Sequence, residues 1–212
     1  GVTGKLEIGT GNFNVHNPLT IESGGTFTSD SGNVQIGGAL TLDGEFVQGG
    51  GNLNLIGGGA VGATGKLDMS SSELQLGSAL NITGTLAANL SSSWSGWQGT
   101  LDLTSGTLES SGGTINLNDF TTGTNTTLKL SGDTEISSSS DTTLGMLELS
   151  GNKLTLGESG GLILINTLTM AAGSEIETKG NKLTHANPLQ LNSGAITSTG
   201  GTLSFAGGVT MG

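Results

Sequence analysis

Gly32-Asn33-Val34-Gln35-Ile36-Gly37-Gly38-Ala39-Leu40-Thr41-Leu42 decides the fold. Two tripeptides, Val34-Gln35-Ile36 and Leu40-Thr41-Leu42, each place two aliphatic residues around one polar residue. That two-residue period is the signature of a short strand with one apolar face. A Gly-Asn pair precedes the first strand and Gly-Gly separates it from the second, both turn formers. The strands start only six residues apart, at 34 and 40, which is closer than antiparallel sandwiches usually show.

Working outward, the same unit recurs along the whole chain. Upstream lie Leu6-Glu7-Ile8, Phe13-Asn14-Val15 and Leu19-Thr20-Ile21; downstream come Leu53-Asn54-Leu55, Leu74-Gln75-Leu76 and Leu80-Asn81-Ile82. Leu101-Asp102-Leu103, Ile115-Asn116-Leu117, Leu128-Lys129-Leu130, Leu147-Glu148-Leu149, Leu154-Thr155-Leu156, Leu168-Thr169-Met170, Leu189-Gln190-Leu191 and Leu203-Ser204-Phe205 continue it. Gly-Asn or Gly-Thr pairs punctuate the series at residues 11, 32, 51, 113, 151, 180 and 201. Three such strands make a unit of about 20 residues, within the range of solenoid repeats. The expected fold is all-β: a right-handed parallel β-helix, a β-solenoid with three short strands per coil. A single coil cannot bury its own aliphatic residues, whereas coils stacked about 4.8 Å apart bury a continuous column. Nine or ten coils fit the length, and Leu40, Leu42, Leu53, Leu55, Leu74, Leu76, Leu80 and Ile82 are expected to point inward.

Composition agrees with a narrow core. The 212 residues include 40 Gly, five Phe, two Trp and no Tyr, too few large side chains for a compact globule of this length. All six basic residues are lysines, against 17 acids and a net charge of -11. A nucleic-acid partner is therefore not expected, because phosphate binding needs basic stripes. Anionic membrane surfaces are disfavoured by the same charge, and no apolar run is long enough to span a bilayer. There is no cysteine to staple the fold or to serve as nucleophile.

A longer repeat is superposed on the short one. Asn17-Pro18-Leu19-Thr20-Ile21-Glu22-Ser23-Gly24 returns as Asn187-Pro188-Leu189-Gln190-Leu191-Asn192-Ser193-Gly194, each copy following a Gly-Asn pair and a histidine, His16 or His185. Residues 1–212 are thus expected to form a single solenoid segment, an excerpt of a longer tandem array with further coils on both sides. Residues 87–100 are its expected irregular excursion, and 119–127 and 137–145 are further Ser/Thr-rich interruptions.

The Gly-Asn punctuation, the three short strands per coil and segments such as Gly37-Gly38-Ala39-Leu40-Thr41-Leu42-Asp43-Gly44 resemble the β-helical passengers of filamentous-haemagglutinin-like and autotransporter-like bacterial surface proteins. The likeness is one of pattern over the whole chain and carries over no functional residue. It implies secretion to the bacterial cell surface, a fibrous shape, and a non-enzymatic structural or adhesive role. The implied partners are neighbouring coils or subunits, surface glycans, or host and cell-surface proteins.

Candidate sites follow from residue chemistry. Trp94 and Trp97, the only tryptophans, sit in the Ser/Gly-rich interruption, where exposed indoles would stack on sugar rings or anchor a partner; the alternative is a hydrophobic plug over an open cross-section. Polysaccharide lyases and hydrolases also use β-helices, but they need converging carboxylates. Here the acids pair only locally, at Asp43/Glu45, Asp133/Glu135 and Glu175/Glu177, and a solvated outer face is the expected role. No cofactor is expected; calcium is expected only as an incidental ligand, since the glycine-rich Asp nonapeptides of calcium β-rolls are lacking. His16 and His185 are expected to face turns. Outward Thr20, Thr41, Thr155 and Thr169 do not form the regular array that ice binding needs, which leaves that function third. A carbohydrate-binding or carbohydrate-degrading β-helix is the first alternative to the fibre, and a self-assembling filament subunit the second.

Overall fold

A computed structural model describes residues 1–69, 72–90, 101–116, 120–157 and 160–211, all of them strand, turn or irregular, with no helix. The chain divides into two compact units, Gly1–Leu108 and Glu109–Gly212.

The first unit contains β1 (Lys5–Ile8), β2 (Phe13–Val15), β3 (Leu19–Ile21), β4 (Thr26–Ser29), β5 (Val34–Ile36), β6 (Leu40–Leu42), β7 (Glu45–Gln48), β8 (Asn52–Leu55), β9 (Gly59–Val61), β10 (Lys66–Met69), β11 (Glu73–Leu76), β12 (Leu80–Ile82), β13 (Thr85–Leu90) and β14 (Leu101–Asp102). Every third strand joins the same sheet. The three parallel sheets run β1-β4-β7-β10-β13, β2-β5-β8-β11 and β3-β6-β9-β12-β14. This is the expected right-handed parallel β-solenoid with three strands per coil. Registers Lys5↔Thr26, Thr26↔Glu45, Glu45↔Lys66 and Lys66↔Thr85 make successive coils 21, 19, 21 and 19 residues long. Differences of two residues preserve the inward parity, so aliphatic residues still land on one another.

The eight residues expected inside are all buried, none more than 2 % exposed. Each contributes roughly 1.5–3 kcal/mol through burial. Phe27 and Phe46 stack on adjacent rungs with ring centroids 4.4 Å apart. Ala87, at the start of the expected excursion, lies in β13, while residues 91–100 fall outside the described residues.

At one corner the inward slot is polar. Ser29 and Gln48 are in register and buried, and Gln48 Nε2 donates to the carbonyls of Gly32 (2.6 Å) and Gly50 (2.5 Å). Ser72 Oγ donates to the Gln48 carbonyl at 3.0 Å. Gln48 and Ser72 satisfy corner carbonyls in this way, whereas Ser29 Oγ and Gln48 Oε1 are buried without a partner.

In the second unit β15 (Thr107–Asn116), β16 (Phe120–Thr121), β17 (Thr127–Leu130), β18 (Thr134–Ser137), β19 (Thr142–Leu149), β20 (Lys153–Leu156), β21 (Leu162–Met170), β22 (Glu175–Glu177), β23 (Lys182–His185), β24 (Leu189–Leu191), β25 (Ala195–Thr197), β26 (Thr202–Phe205) and β27 (Val209–Met211) follow the same stacking logic. One face is β15-β18-β20-β22-β25, using residues 113–116 of β15. β17, β19 and β21 stack through Leu128↔Leu147↔Leu168, and β21, β23 and β26 through Leu162↔Leu183↔Leu203. β24 pairs with β27.

Two expectations change here. Thr142, Thr143 and Leu144, within the expected interruption 137–145, pair with Leu162, Ile163 and Leu164, so β19 joins two faces in one strand that bends at a register shift between Leu144 and Met146. Thr is β-branched and fits a strand as readily as a loop. Gly145 sits at the shift, where a Cβ would collide with the Thr124 carbonyl. Within 119–127, Phe120–Thr121 is a strand, and the turn after it closes by Gly123 N–H donating to Thr126 Oγ1 at 2.8 Å.

Two substitutions test the stacking. Leu53→Ala removes a fully buried rung and should cost about 2–5 kcal/mol in chemical denaturation. Gly32→Ala adds a methyl against the Gly11 carbonyl, where the backbones of adjacent coils touch, and should lower the denaturation midpoint without any loss of apolar burial.

Candidate functional site

The outward slots of the β2-β5-β8-β11 face carry amides almost exclusively. Registers Asn14↔Gln35, Gln35↔Asn54 and Asn54↔Gln75 form one column along the stack. Beside it runs a second column, Asn12, Asn33, Asn52 and Glu73, built by the Gly-Asn punctuation. The two columns behave differently. Asn12 Oδ1 accepts the Asn33 N–H (3.2 Å) and Asn33 Oδ1 accepts the Asn52 N–H (3.0 Å). With its amide turned to satisfy both atoms, Asn52 donates to the Glu73 carboxylate at 3.2 Å. This column ties coil to coil. By contrast, the side-chain amides of Asn14, Gln35, Asn54 and Gln75 have no hydrogen-bond partner among the described residues. The amides of the two columns, with Val34, line a shallow trough of about 290 Å³.

In the second unit a trough of about 230 Å³ is lined by Leu168, Thr169, Met170, Gln190, Leu191, Asn192 and Ser193. Ser193 Oγ is engaged there, donating to the Met170 carbonyl at 2.6 Å. Neither trough has a titratable side chain in its lining.

Glu73 ends the second column, whereas the carboxylates that pair with lysine lie off the β2-β5-β8-β11 strands. Glu175 and Glu177 lie on one face of β22, and Lys153 on the adjacent rung reaches both, at 3.8 and 2.8 Å. The hydrogen bond from Lys153 holds the Glu177 carboxyl below its ordinary value, and Glu177 in turn raises Lys153. Asp133 accepts the Lys153 N–H at 2.8 Å. Between Glu135 and Glu177 stands Thr155, so these acids are separated by a rung. Glu45 and Asp68 face Lys66, at 3.9 and 3.2 Å. Asp141 is held low first by the Lys182 hydrogen bond, at 2.7 Å, and then by the Gly161 N–H. Asp102 is held low by the Thr104 hydroxyl and N–H. Among the described residues, no three His or carboxylate groups gather as a metal site. The aligned threonines are equally short-lived: Thr20 meets Thr41, but the next rung is Ala60.

Trp94 and Trp97 lie outside the described residues. The histidines part company. His16 is exposed beyond β2, whereas His185 is 2 % exposed, points inward from β23 and stacks in register between Leu164 and Phe205. The second copy of the long repeat carries Ala186 between the histidine and Asn187-Pro188, and the strand before it is shifted by one residue. A one-residue shift reverses every side chain in a strand, which turns His185 into the core. Its Nδ1 lies 2.6 Å from the Asn187 carbonyl, and its Nε2 is buried without a partner.

Comparison with protein-family models, with curated proteins and with solved structures finds no match.

Two outcomes follow from this geometry. Asn33→Ala should cost about 0.5–1.5 kcal/mol through its lost inter-coil hydrogen bond, whereas Asn54→Ala, one slot away on an unbonded column, should stay within about 0.5 kcal/mol. Because Asp102, Asp141 and Glu177 are all depressed in the folded chain, their stabilisation is present above ordinary carboxylate values and is lost as pH falls through the depressed ones. Urea midpoints should therefore decline below about pH 4, and Asp141→Asn should flatten that decline.

Proposed function

We propose that this chain is a stretch of extracellular, bacterial cell-surface fibre or adhesin, a non-enzymatic solenoid that serves as a stiff and repetitive rod. The observation that carries the reading is the rung-on-rung register of like side chains. Aliphatic falls on aliphatic inside, while amide falls on amide and acid beside lysine outside. Such an arrangement supports a scaffold because each coil stacks on its neighbour through the same kinds of contact. Hydrolysis of a glycosidic bond or elimination across a sugar ring requires an acid and a base that converge on one atom. Among the described residues Glu45, Asp68, Asp141, Glu175 and Glu177 pair with lysines, and the two troughs are lined by neutral groups.

A surface role also accords with the net charge of -11, which keeps rods soluble and mutually repelling until a cation or partner screens them. Neighbouring coils or subunits, and glycans or proteins of an opposing surface, are the partners this reading assigns.

Electron microscopy of native material, with the mass of the parent chain measured alongside, tests the proposal. Long filaments from a chain much larger than 212 residues, with an axial diffraction repeat of about 4.8 Å, are the expected result. Filaments built from chains of this size would assign a self-stacking subunit instead. Discrete particles would overturn the fibre.

A further inference from the structure

We infer that the amide face of the first unit is a binding surface for a neutral polysaccharide, with Asn14, Gln35, Asn54 and Gln75 as its contact column. A scaffold could serve with this face bare, so the inference goes beyond the rod reading. It starts from the contrast between the two columns. The Asn12-Asn33-Asn52 column is committed to the backbone of the next coil, whereas four amides beside it, in register over four rungs, remain free above the same trough.

Each free amide offers two donors and an acceptor with two lone pairs. Sugar hydroxyls donate and accept in the same way, so every rung can engage a ring in either sense. Adjacent rungs are about 4.8 Å apart, close to the advance of one sugar along an extended chain. A polymer laid along the stack would therefore meet a fresh amide at nearly every residue.

Charge selects among possible occupants. The trough lining carries no ionisable side chain; Glu73 ends the committed column and exposed His16 follows β2 beyond Asn14, on a chain whose net charge is -11. An anionic glycan or nucleic acid would approach against that charge, with no lysine on the face to receive it. A second copy would bring another eleven negative charges. A peptide would find its backbone groups better matched at a strand edge than on this outward face. A neutral glycan meets none of these obstacles. The trough lining has no aromatic ring on which to stack, so each sugar contributes only modest hydrogen bonds, and affinity must come from repetition along the polymer.

The test is affinity electrophoresis and pull-down of the full chain on neutral polysaccharides, namely cellulose, chitin, xylan, mannan and β-1,3-glucan, with alginate and polygalacturonate as anionic controls. Retention by at least one neutral polymer is expected, rising with the length of the competing oligosaccharide and absent from the anionic controls. The fourfold variant N14A/Q35A/N54A/Q75A should lose at least about tenfold in affinity, the equivalent of one or two net hydrogen bonds. A milder variant, Gln35→Met with Asn54→Leu, keeps side-chain size and should weaken binding in the same direction; melting curves of both confirm the fold. Three results would overturn the inference: no neutral polymer retained, retention unchanged in both variants, or a dimer in sedimentation that the fourfold variant abolishes, which would give the face to a second copy. None of these affects whether the parent chain forms filaments, so failure here and failure of the rod reading remain separate.

Discussion

The ladder between coils is the interaction on which everything else depends. A three-strand coil has almost no backbone hydrogen bonds of its own, because its strands pair with strands of the neighbouring coils, 19 to 22 residues away. Each coil is therefore stable only as a neighbour of another, and each must end in the register in which it began. From that requirement follow the small residues at the corners, where backbones of adjacent coils touch, and the buried Gln48, Ser72 and Asn152, whose side chains bind backbone groups at the corners. Asn152 illustrates the economy of the device: its Oδ1 accepts the Ser150 N–H at 2.8 Å while its Nδ2 donates to the Gly132 carbonyl one coil away, also at 2.8 Å.

Much of this was legible in the residues. The aliphatic-polar-aliphatic tripeptide is a local signal, and the eight residues it placed inside are all buried. What the sequence could not display is which tripeptides stack, since that depends on coil lengths alternating between 21 and 19 residues. The free amide column was thus visible only as four scattered outward slots. The Gly-Asn punctuation was visible too, but its meaning was not. Asn33 turns outward along the ladder, while Asn152, in the same dipeptide, is buried. The dipeptide marks a turn; the parity of the next strand decides where the side chain goes.

His185 fails for the same reason. Similar sequences at 11–24 and 180–194 suggested equal environments, yet the inserted Ala186 shifts the strand before it by one residue and exchanges its faces. Conversely, Thr142 and Thr143 looked like loop by composition and became strand because Leu162 and Ile163 offered them a partner. Both errors arise where tertiary register overrides a local preference, which is weak in strands to begin with.

Stacking also constrains the kind of site such a fold can build. On a flat face, side chains from successive rungs are held parallel at a fixed spacing, so like groups form rows. Convergence on a single atom, which acid-base chemistry requires, needs a loop that leaves the row or a strand that changes direction. Rows of carboxylates would repel one another at that spacing, and in this chain they are interrupted: Thr155 stands between Glu135 and Glu177, and Lys66 stands on the rung beside Glu45. Rows of amides carry no such cost, because each can donate to one neighbour and accept from another. An uncharged column four rungs deep is consequently the surface this fold can repeat without electrostatic penalty, and its natural complement is a ligand that repeats as well.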